Sequence, residues 1–129
     1  MLTSTKAFSG FSVDNLDKAK EFYGQTLGLK VTEAMEGAVN IHLPGGAEVF
    51  IYEKGNHVPA TFTILNFMVS NIDEAVDGLT KSGVKFESYS DGPIKTDDVG
   101  IARGGEGKSP TIAWFKDPAG NFLSVIEEK

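Results

Sequence analysis

The stretch Phe8–Tyr23, FSGFSVDNLDKAKEFY, matches the stretch Ile64–Leu79, ILNFMVSNIDEAVDGL, which lies 56 positions further along the chain. The match aligns Phe11 with Phe67 and Val13 with Val69. Because similarity at a fixed offset usually marks a duplicated structural unit, the sequence predicts two halves of the same architecture.

Each copy has the pattern of a strand that runs into a helix. Apolar residues alternate with small or polar ones up to Val13 and Val69, which is typical of a half-buried strand. Asn15 and Asn71 follow with side-chain oxygens that cap helix amides. A glycine ends each helix, since glycine enters the left-handed conformation at little cost. We therefore predict helices near residues 15–25 and 71–82.

Three shorter β segments follow each helix, so each half reads as βαβββ and the fold class is α+β. The predicted segments are Leu29–Ala34, Ala38–Leu43 and Ala47–Glu53 in the first half, then Val84–Tyr89, Thr111–Phe115 and Asn121–Glu127 in the second. Residues 56–61 read as a linker. The interpretation is a single domain over residues 1–129, with halves at about 1–55 and 62–129. The glycine-rich stretch Ser90–Pro110 is a long loop of the kind that is usually functional or disordered.

The composition limits the classes of molecule that the protein is expected to bind. The chain has 129 residues, a formal charge of −6, a pI near 4.8 and no cysteine. The charge argues against nucleic acid and against an anionic membrane surface, since both attract basic patches. The lack of cysteine excludes disulfides and thiolate sites and suits a reducing cytoplasm. We expect a cytoplasmic protein whose partner is a small molecule.

The C-terminal stretch Ile112–Lys129, IAWFKDPAGNFLSVIEEK, and the helix ends LGL and SGV resemble the vicinal oxygen chelate superfamily of glyoxalases, bleomycin resistance proteins and extradiol dioxygenases. The resemblance covers nearly the whole chain. It implies a cupped eight-stranded mixed sheet with flanking helices, a small-molecule ligand inside the cup, and a homodimer. It does not imply one activity, because fold and function are loosely coupled.

Metalloenzymes of this superfamily hold their ion through side chains at four equivalent strand positions. Carried across, those positions fall at Phe8, Ile64, Ser124 and near Ile51, with Glu53 as the nearest carboxylate if the last alignment is shifted. None of the four is a nitrogen or carboxylate ligand of the usual kind. The resemblance therefore implies a member without the family's metal ligands, and we expect neither a metal nor another cofactor.

Period-two alternation directs Phe8, Asn66 and Met68 into the predicted cup. Asn66 is polar between apolar neighbours, so it either binds a ligand or pairs with a neighbouring strand or a water. Tyr89 and Trp114 are stacking surfaces for a flat ligand, although core or dimer contacts are at least as common. In the loop, Arg103 is the candidate clamp for a carboxylate or phosphate, against the alternative of a local ion pair. The full set of predicted ligand-binding residues is Phe8, Ile51, Ile64, Asn66, Met68, Tyr89, Arg103, Trp114 and Ser124.

Two functions remain open. The first is a binding protein that sequesters an organic ligand in a metal-free apolar cleft. The second is a glyoxalase- or dioxygenase-like lyase, isomerase or oxygenase acting on a small carbonyl or vicinal-oxygen substrate. An enzyme without a metal needs a general base, for which the candidates are His42, Glu53 and Asp98. The simpler interpretation of His42 is a surface strand residue, and that of the other histidine, His57, is a solvated loop residue.

Overall fold

Each half of the chain folds as a strand, a helix and three further strands. The computed structural model describes residues 2–104 and 110–128. The elements are β1 (Ser9–Val13), α1 (Leu16–Glu21), β2 (Lys30–Met35), β3 (Ala38–His42), β4 (Glu48–Glu53), β5 (Thr63–Val69), α2 (Ile72–Lys81), β6 (Ile101–Ala102), β7 (Ile112–Lys116) and β8 (Phe122–Glu127). A short 3-10 helix, Leu2–Ser4, precedes β1, and a π-helical turn, Phe22–Thr26, extends α1. Two compact units result, Met1–Pro59 and Ala60–Lys129.

The first unit is a four-stranded mixed sheet with α1 on one side. Its strand order is β1-β4-β3-β2, with β1 parallel to β4 and the other pairs antiparallel. The apolar side chains that alternate toward the helix are almost fully buried and form the core with Tyr23. They are Val13, Val39, Ile41, Val49 and Ile51. Burial of one sheet face against a helix gives this half its hydrophobic stabilisation.

The second unit repeats this topology with the order β5-β8-β7-β6, and β5 is parallel to β8. Ile72 and Val76 of α2 are buried, as are Ala113, Phe115, Leu123 and Val125 of the sheet. The prediction of an α+β fold built from two βαβββ units is confirmed. The eight strands form two four-stranded mixed sheets rather than one continuous sheet.

Both helices begin as the sequence predicts. The side chain of Asn15 accepts a 3.0 Å hydrogen bond from the amide of Lys18, and Asn71 accepts one of 3.1 Å from the amide of Glu74. Gly83 follows the C-cap of α2, and its φ of 101° is a left-handed conformation that favours glycine. Within the parts of the chain that the structure describes, neither helix has the length and apolar character that a bilayer crossing requires.

One predicted strand is wrong. Val84–Tyr89 makes a single bridge, Phe86 to Phe115, and the fourth strand of the second sheet is β6. β6 has two residues and lies inside the predicted loop Ser90–Pro110, too short to show a period-two pattern. Gly100, with a φ of 96°, turns the chain into β6. Residues 105–109 of that loop lie outside the described residues.

The turn between β7 and β8, DPAGN, is a buried polar network. Asp117 Oδ1 accepts hydrogen bonds from the amides of Ala119 (3.0 Å) and Asn121 (2.9 Å). Asn121 Nδ2 donates to Asp117 Oδ2 at 3.1 Å, and Asn121 Oδ1 accepts from the amide of Ala60 at 3.0 Å. Both side chains are at most 4% exposed. The motif that carries the family resemblance therefore shapes a turn and joins it to the start of the second unit.

Candidate functional site

Each sheet buries one face under its helix and exposes the other. We call these exposed surfaces the first open face, which carries Phe8, Asn40, His42, Glu48 and Phe50, and the second open face, which carries Asn66, Met68, Trp114, Phe122 and Ser124. The assignment follows from strand register, because residues paired across a sheet lie on the same face. Asn40 pairs with Phe50 in the first sheet, and Trp114 pairs with Ser124 in the second. Both surfaces contain large exposed apolar side chains, including Phe8 (75%) and Met68 (67%).

The second open face contains an aromatic cavity of about 190 Å3. Its lining is mostly aromatic or apolar: Thr61, Phe62, Thr63, Tyr89, Ile94, Trp114 and Phe122. The rings of Tyr89 and Trp114 meet edge to face, with centroids 5.8 Å apart and an interplanar angle of 85°. This geometry is the preferred one for an aromatic pair, and it holds both rings in place at the edge of the cavity.

Polar groups around this cavity are few. Partial burial raises the pKa of the Tyr89 phenol, and the charge of Glu87 raises it further, so the hydroxyl stays protonated and available as a donor. The amide of Tyr89 donates a 2.9 Å hydrogen bond to Thr96 Oγ1, and this bond joins the two ends of the loop formed by residues 90–95. Ile94 of that loop lines the cavity. Lys116 Nζ lies 5.0 Å from the centroid of the Phe122 ring.

Among the residues predicted for this face, Asn66, Met68, Trp114 and Ser124 lie on it. Ser124 Oγ donates a 2.5 Å hydrogen bond to Asn66 Oδ1, and Ser124 is fully buried. Asn66 is therefore paired with the neighbouring strand, which is one of the two alternatives left open by its sequence. Ile64 falls at a register shift between Thr63 and Leu65 and is not among the residues that line the cavity.

The first open face has a depression of about 390 Å3. Its lining includes two carboxylates and an amide: Phe8, Glu33, Ala34, Met35, Asn40, Glu48 and Phe50. Phe8 and Phe50 meet edge to face at 5.9 Å, and Phe50 contacts Tyr52 at 5.8 Å. The polar and aromatic groups thus share one concave surface on this sheet.

The prediction for Ile51 is wrong. Ile51 pairs with Phe11 in the register of β1 and β4 and is fully buried on the helix side of the sheet. Phe50 is the β4 residue that faces Phe8. A shift of one residue moves a strand side chain to the opposite face, so Phe50 and Ile51 lie on different sides of the sheet.

Arg103 points to the helix edge of the second sheet and not to its open face. Its guanidinium donates two hydrogen bonds to Asp73 at the start of α2, at 3.1 and 2.7 Å, and two to Asp97, at 3.3 and 3.2 Å. The ligand clamp predicted for Arg103 is corrected to the local ion pair that the sequence also allowed. Arg103 lies two residues after the buried Ile101 and therefore on the same, helix side of the sheet, which explains the direction of its side chain.

The three candidate bases lie in different settings. Glu53 accepts a hydrogen bond of 2.8 Å from the amide of Leu16 at the start of α1. Asp98 is exposed in the loop before β6. His42 lies on the first open face, with Nε2 2.8 Å from Thr32 Oγ1 and Nδ1 3.4 Å from Glu48 Oε1. Of the three, only His42 is positioned beside the depression. His57, in the linker, contacts Ser12 Oγ through Nδ1 at 2.7 Å.

The donor set at the family's metal positions does not fit a divalent ion. Phe8 contacts the ring of Phe50, Ile51 and Ile64 are aliphatic, and the Ser124 hydroxyl donates a hydrogen bond to Asn66. Aromatic rings and a hydroxyl supply no charge to offset dehydration of the ion. Over residues 2–104 and 110–128, no three histidine or carboxylate side chains come together in a way that suits metal binding.

Sequence reasoning missed Phe50, Phe62, Phe122 and Glu48. The hairpin between β3 and β4 contains a sequence signal for two of them, Glu48 and Phe50. The amide of Leu43 bonds to the carbonyl of Ala47 at 2.8 Å and closes the turn, which pairs His42 with Glu48 and Asn40 with Phe50. Counting across the turn would have identified these pairs.

The fold is that of several solved structures. A member of the glyoxalase/bleomycin resistance protein/dioxygenase superfamily from Sphaerobacter thermophilus is 24% identical, with a TM-score of 0.65 over 96% of this chain and 98% of that one. TnmS3, an antibiotic binding protein from Streptomyces, is 18% identical, with a TM-score of 0.66 over 98% and 99%. A bleomycin-binding protein solved in complex with bleomycin is 18% identical, with a TM-score of 0.65 over 98% and 100%.

No curated protein matches the sequence of this chain. The family model described as Glyoxalase/Bleomycin resistance protein/Dioxygenase superfamily matches residues 8–125, which extends from the first open face to the last strand. The match confirms the family resemblance of the DPAGN turn and the repeated halves. The chain belongs to the glyoxalase/bleomycin resistance protein/dioxygenase superfamily.

Proposed function

We propose that this protein binds a flat, mostly apolar organic molecule through the aromatic cavity of its second half and releases it unchanged. The observation that carries the proposal is the Tyr89–Trp114 ring pair at the edge of a cavity that Phe62, Ile94 and Phe122 also line. Aromatic side chains give large contact areas with a flat ring at low entropic cost. Two proteins of the same fold are named for binding antibiotics, which supports a ligand of this kind.

The size of the cavity limits what it accepts. Pockets that enclose drug-sized ligands usually measure about 300–1,000 Å3, and this one measures about 190 Å3. We therefore propose that it takes a single flat ring system, or one ring of a larger molecule. The lining is apolar apart from threonines and the Tyr89 hydroxyl, so burial supplies most of the affinity and one hydrogen bond orients the ring.

Trp114 is the only tryptophan of the chain, so its fluorescence reports on the cavity directly. Titration with a panel of neutral aromatic heterocycles should quench or shift the emission of Trp114 for at least one ring shape. Tyr89→Leu should weaken that binding about fivefold to tenfold, because it removes one ring–ring contact and one hydrogen bond. Tyr52→Leu, a tyrosine change in the first half, is the matched control and should leave the titration unchanged.

Chromatography of the recovered ligand separates sequestration from turnover. Recovery of unaltered compound after incubation with excess protein supports the binding function. A changed compound would favour the second candidate, a metal-free lyase or isomerase. One observation supports that candidate: His42 lies between a hydroxyl and a carboxylate, which is the setting of a general base. His42→Gln would then abolish the conversion.

We also propose a homodimer in the cytoplasm. Each sheet has two outer strands, β1 and β2 in the first and β5 and β6 in the second, and an outer strand of a sheet favours a partner. Light scattering at micromolar concentration should give twice the mass of the 13.8 kDa chain. A monomer mass across the concentration range would refute the dimer.

A further inference from the structure

The first open face presents three aromatic rings in a row. Phe8 lies 5.9 Å from Phe50, and Phe50 lies 5.8 Å from Tyr52. Gly10, on the adjacent strand, lies close to Phe50, and a Cβ at Gly10 would lie 3.1 Å from the Phe50 carbonyl oxygen. Phe8 is 75% exposed although it is apolar, so the row has a face that contacts solvent. Exposed aromatic rings next to a depression are typical of a binding surface.

A carboxylate borders the same depression. Glu48 lies two residues before Phe50 on β4, and both line the cavity of about 390 Å3 with Asn40 and Met35. The other lining carboxylate, Glu33, is paired with Lys20 at 3.2 Å. Glu48 is 3.4 Å from His42 Nδ1, and this imidazole carries a charge only when it is protonated. Glu48 is therefore the carboxylate of this surface that has no lysine or arginine ion pair among the described residues.

Aromatic rings and a carboxylate together select one class of ligand. The face of an aromatic ring attracts a cation within about 6 Å of its centroid, and a carboxylate adds a charge of the opposite sign. A neutral apolar ligand would gain nothing from Glu48, and an anion would be repelled by it and by the net charge of −6. We infer that the first open face binds an organic cation, an ammonium group on an apolar body, over Phe8 and Phe50 and beside Glu48.

This inference goes beyond the proposed function, because it concerns the other half of the chain and a different ligand chemistry. The aromatic cavity of the second half has no carboxylate in its lining. A protein with both surfaces accepts two kinds of group, a neutral ring in the second half and a cationic group in the first. The two surfaces can be tested separately because their residues do not overlap.

The probe is phenyltrimethylammonium, with tert-butylbenzene as its neutral isostere. Titration of isotope-labelled wild-type protein, followed by amide chemical shifts, should move the signals of Phe8, Glu48 and Phe50. We expect the ammonium to bind at least about tenfold more tightly than the isostere. Glu48→Gln should weaken the ammonium about fivefold and leave the isostere unchanged. Phe50→Leu should weaken the ammonium by a similar factor.

Two matched controls make the result specific. Glu21→Gln removes an exposed carboxylate from the end of α1, on the helix side of the sheet, and should have no effect. Trp114→Leu disables the aromatic cavity of the second half and should leave ammonium binding intact. Loss of ammonium binding and loss of neutral-ring binding are therefore distinguishable. Equal affinity for ammonium and isostere would overturn the inference. Equal effects of Glu48→Gln and Glu21→Gln would overturn it as well, since net charge would then be the cause. If a variant does not fold, the titration of wild-type protein still tests the inference. Amide chemical-shift changes confined to the second half would contradict it.

Discussion

Glu53 Oε1 lies 2.8 Å from the backbone nitrogen of Leu16, so the last residue of β4 holds the first residue of α1. The second half has the same arrangement, with Glu127 Oε2 3.0 Å from the amide of Ile72. In both halves the strand that ends the unit runs parallel to the strand that begins it, which brings its last carboxylate to the start of the helix. The carboxylate also suits the positive end of the helix dipole.

Glu127→Ala should reduce the free energy of unfolding by about 1 kcal/mol, because the amide of Ile72 loses its acceptor. Urea denaturation with a circular dichroism signal measures the loss. The matched control is Glu128→Ala, an exposed neighbour that contributes only its backbone amide to the sheet, and it should change stability by less than about 0.5 kcal/mol. Equal losses for the two variants would contradict the capping role.

Asp117→Ala should be more destabilising, by about 2–3 kcal/mol, since two buried amides and the Asn121 side chain lose their acceptor together. Asp98→Ala, an exposed aspartate in the loop before β6, is the control and should be close to neutral. Thermal and urea unfolding of both variants would decide the point. A stable Asp117→Ala protein would mean that the turn is held by its backbone alone.

Stability should depend on Arg103 in a pH-dependent way. The hydrogen bonds of Arg103 hold the pKa of Asp73 below its ordinary value. For Asp97, partial burial acts in the opposite direction, but hydrogen bonds from the amides of Ile101 and Val99 and from Arg103 outweigh it, so its pKa is also lowered. A carboxyl with a lowered folded pKa contributes stability above its unfolded pKa of about 4, and that contribution is lost as the pH falls through the folded value.

Arg103→Gln should therefore be less stable than wild type at pH 7, and the difference should shrink below about pH 4. Added salt at 1 M should reduce the difference at pH 7, because the groups are partly exposed. Lys81→Gln, which removes the exposed pair with Asp77, is the comparison and should show a smaller effect. A difference that grows as the pH falls would contradict the assignment.

Two glycines of the same helix region should respond with opposite signs. Gly78 lies inside α2, and a Cβ there would meet nothing within 4 Å, so Gly78→Ala should stabilise by about 1 kcal/mol. Gly83 has a φ of 101°, and Gly83→Ala should destabilise by about 1 kcal/mol or more. Melting temperatures of the two variants give the comparison. Shifts of the same sign would mean that local backbone conformation does not control this helix.

Protein purified without chelator should contain far less than one transition metal ion per chain, and EDTA should not change its melting temperature or its ligand binding. The reason is the set of side chains at the predicted family positions, Phe8, Ile51, Ile64 and Ser124, none of which is a nitrogen or carboxylate ligand. Elemental analysis and thermal unfolding measure both quantities. Near-stoichiometric zinc, nickel, manganese or iron would refute the prediction. His42 and Glu48, whose side chains are 3.4 Å apart, would then be the first candidate metal ligands to mutate.

Local patterns predicted most of this fold. Asn15 and Asn71 cap their helices through contacts three residues away, and the alternation around Phe11 and Phe67 places these residues in strands β1 and β5. Such signals depend on neighbouring residues, which the sequence shows directly. The family resemblance also rests on a local turn, Asp117–Asn121, whose hydrogen bonds lie mostly within five residues.

The site was harder to predict because it depends on register and on distant partners. Ile51 and Phe50 have the same apolar character, and only the pairing of β4 with β1 decides which faces Phe8. Arg103 lies 30 positions from Asp73, so no local pattern indicates that pair. The two-residue strand β6 gives no periodic signal, and the neighbouring VKFESY gives a stronger one without forming a strand.

The buried turn at Asp117 and Asn121 has a consequence for protein engineering. Its polar network joins the β7–β8 connection to Ala60 and uses no side chain of either open face. The turn and the open faces therefore use different residues, and the open-face positions other than Trp114 can be randomised in a library while the turn is kept constant. Because the single tryptophan lines one cavity, its fluorescence would report ligand binding by each library member. The chain is therefore a scaffold for small-molecule sensors that need no added reagent.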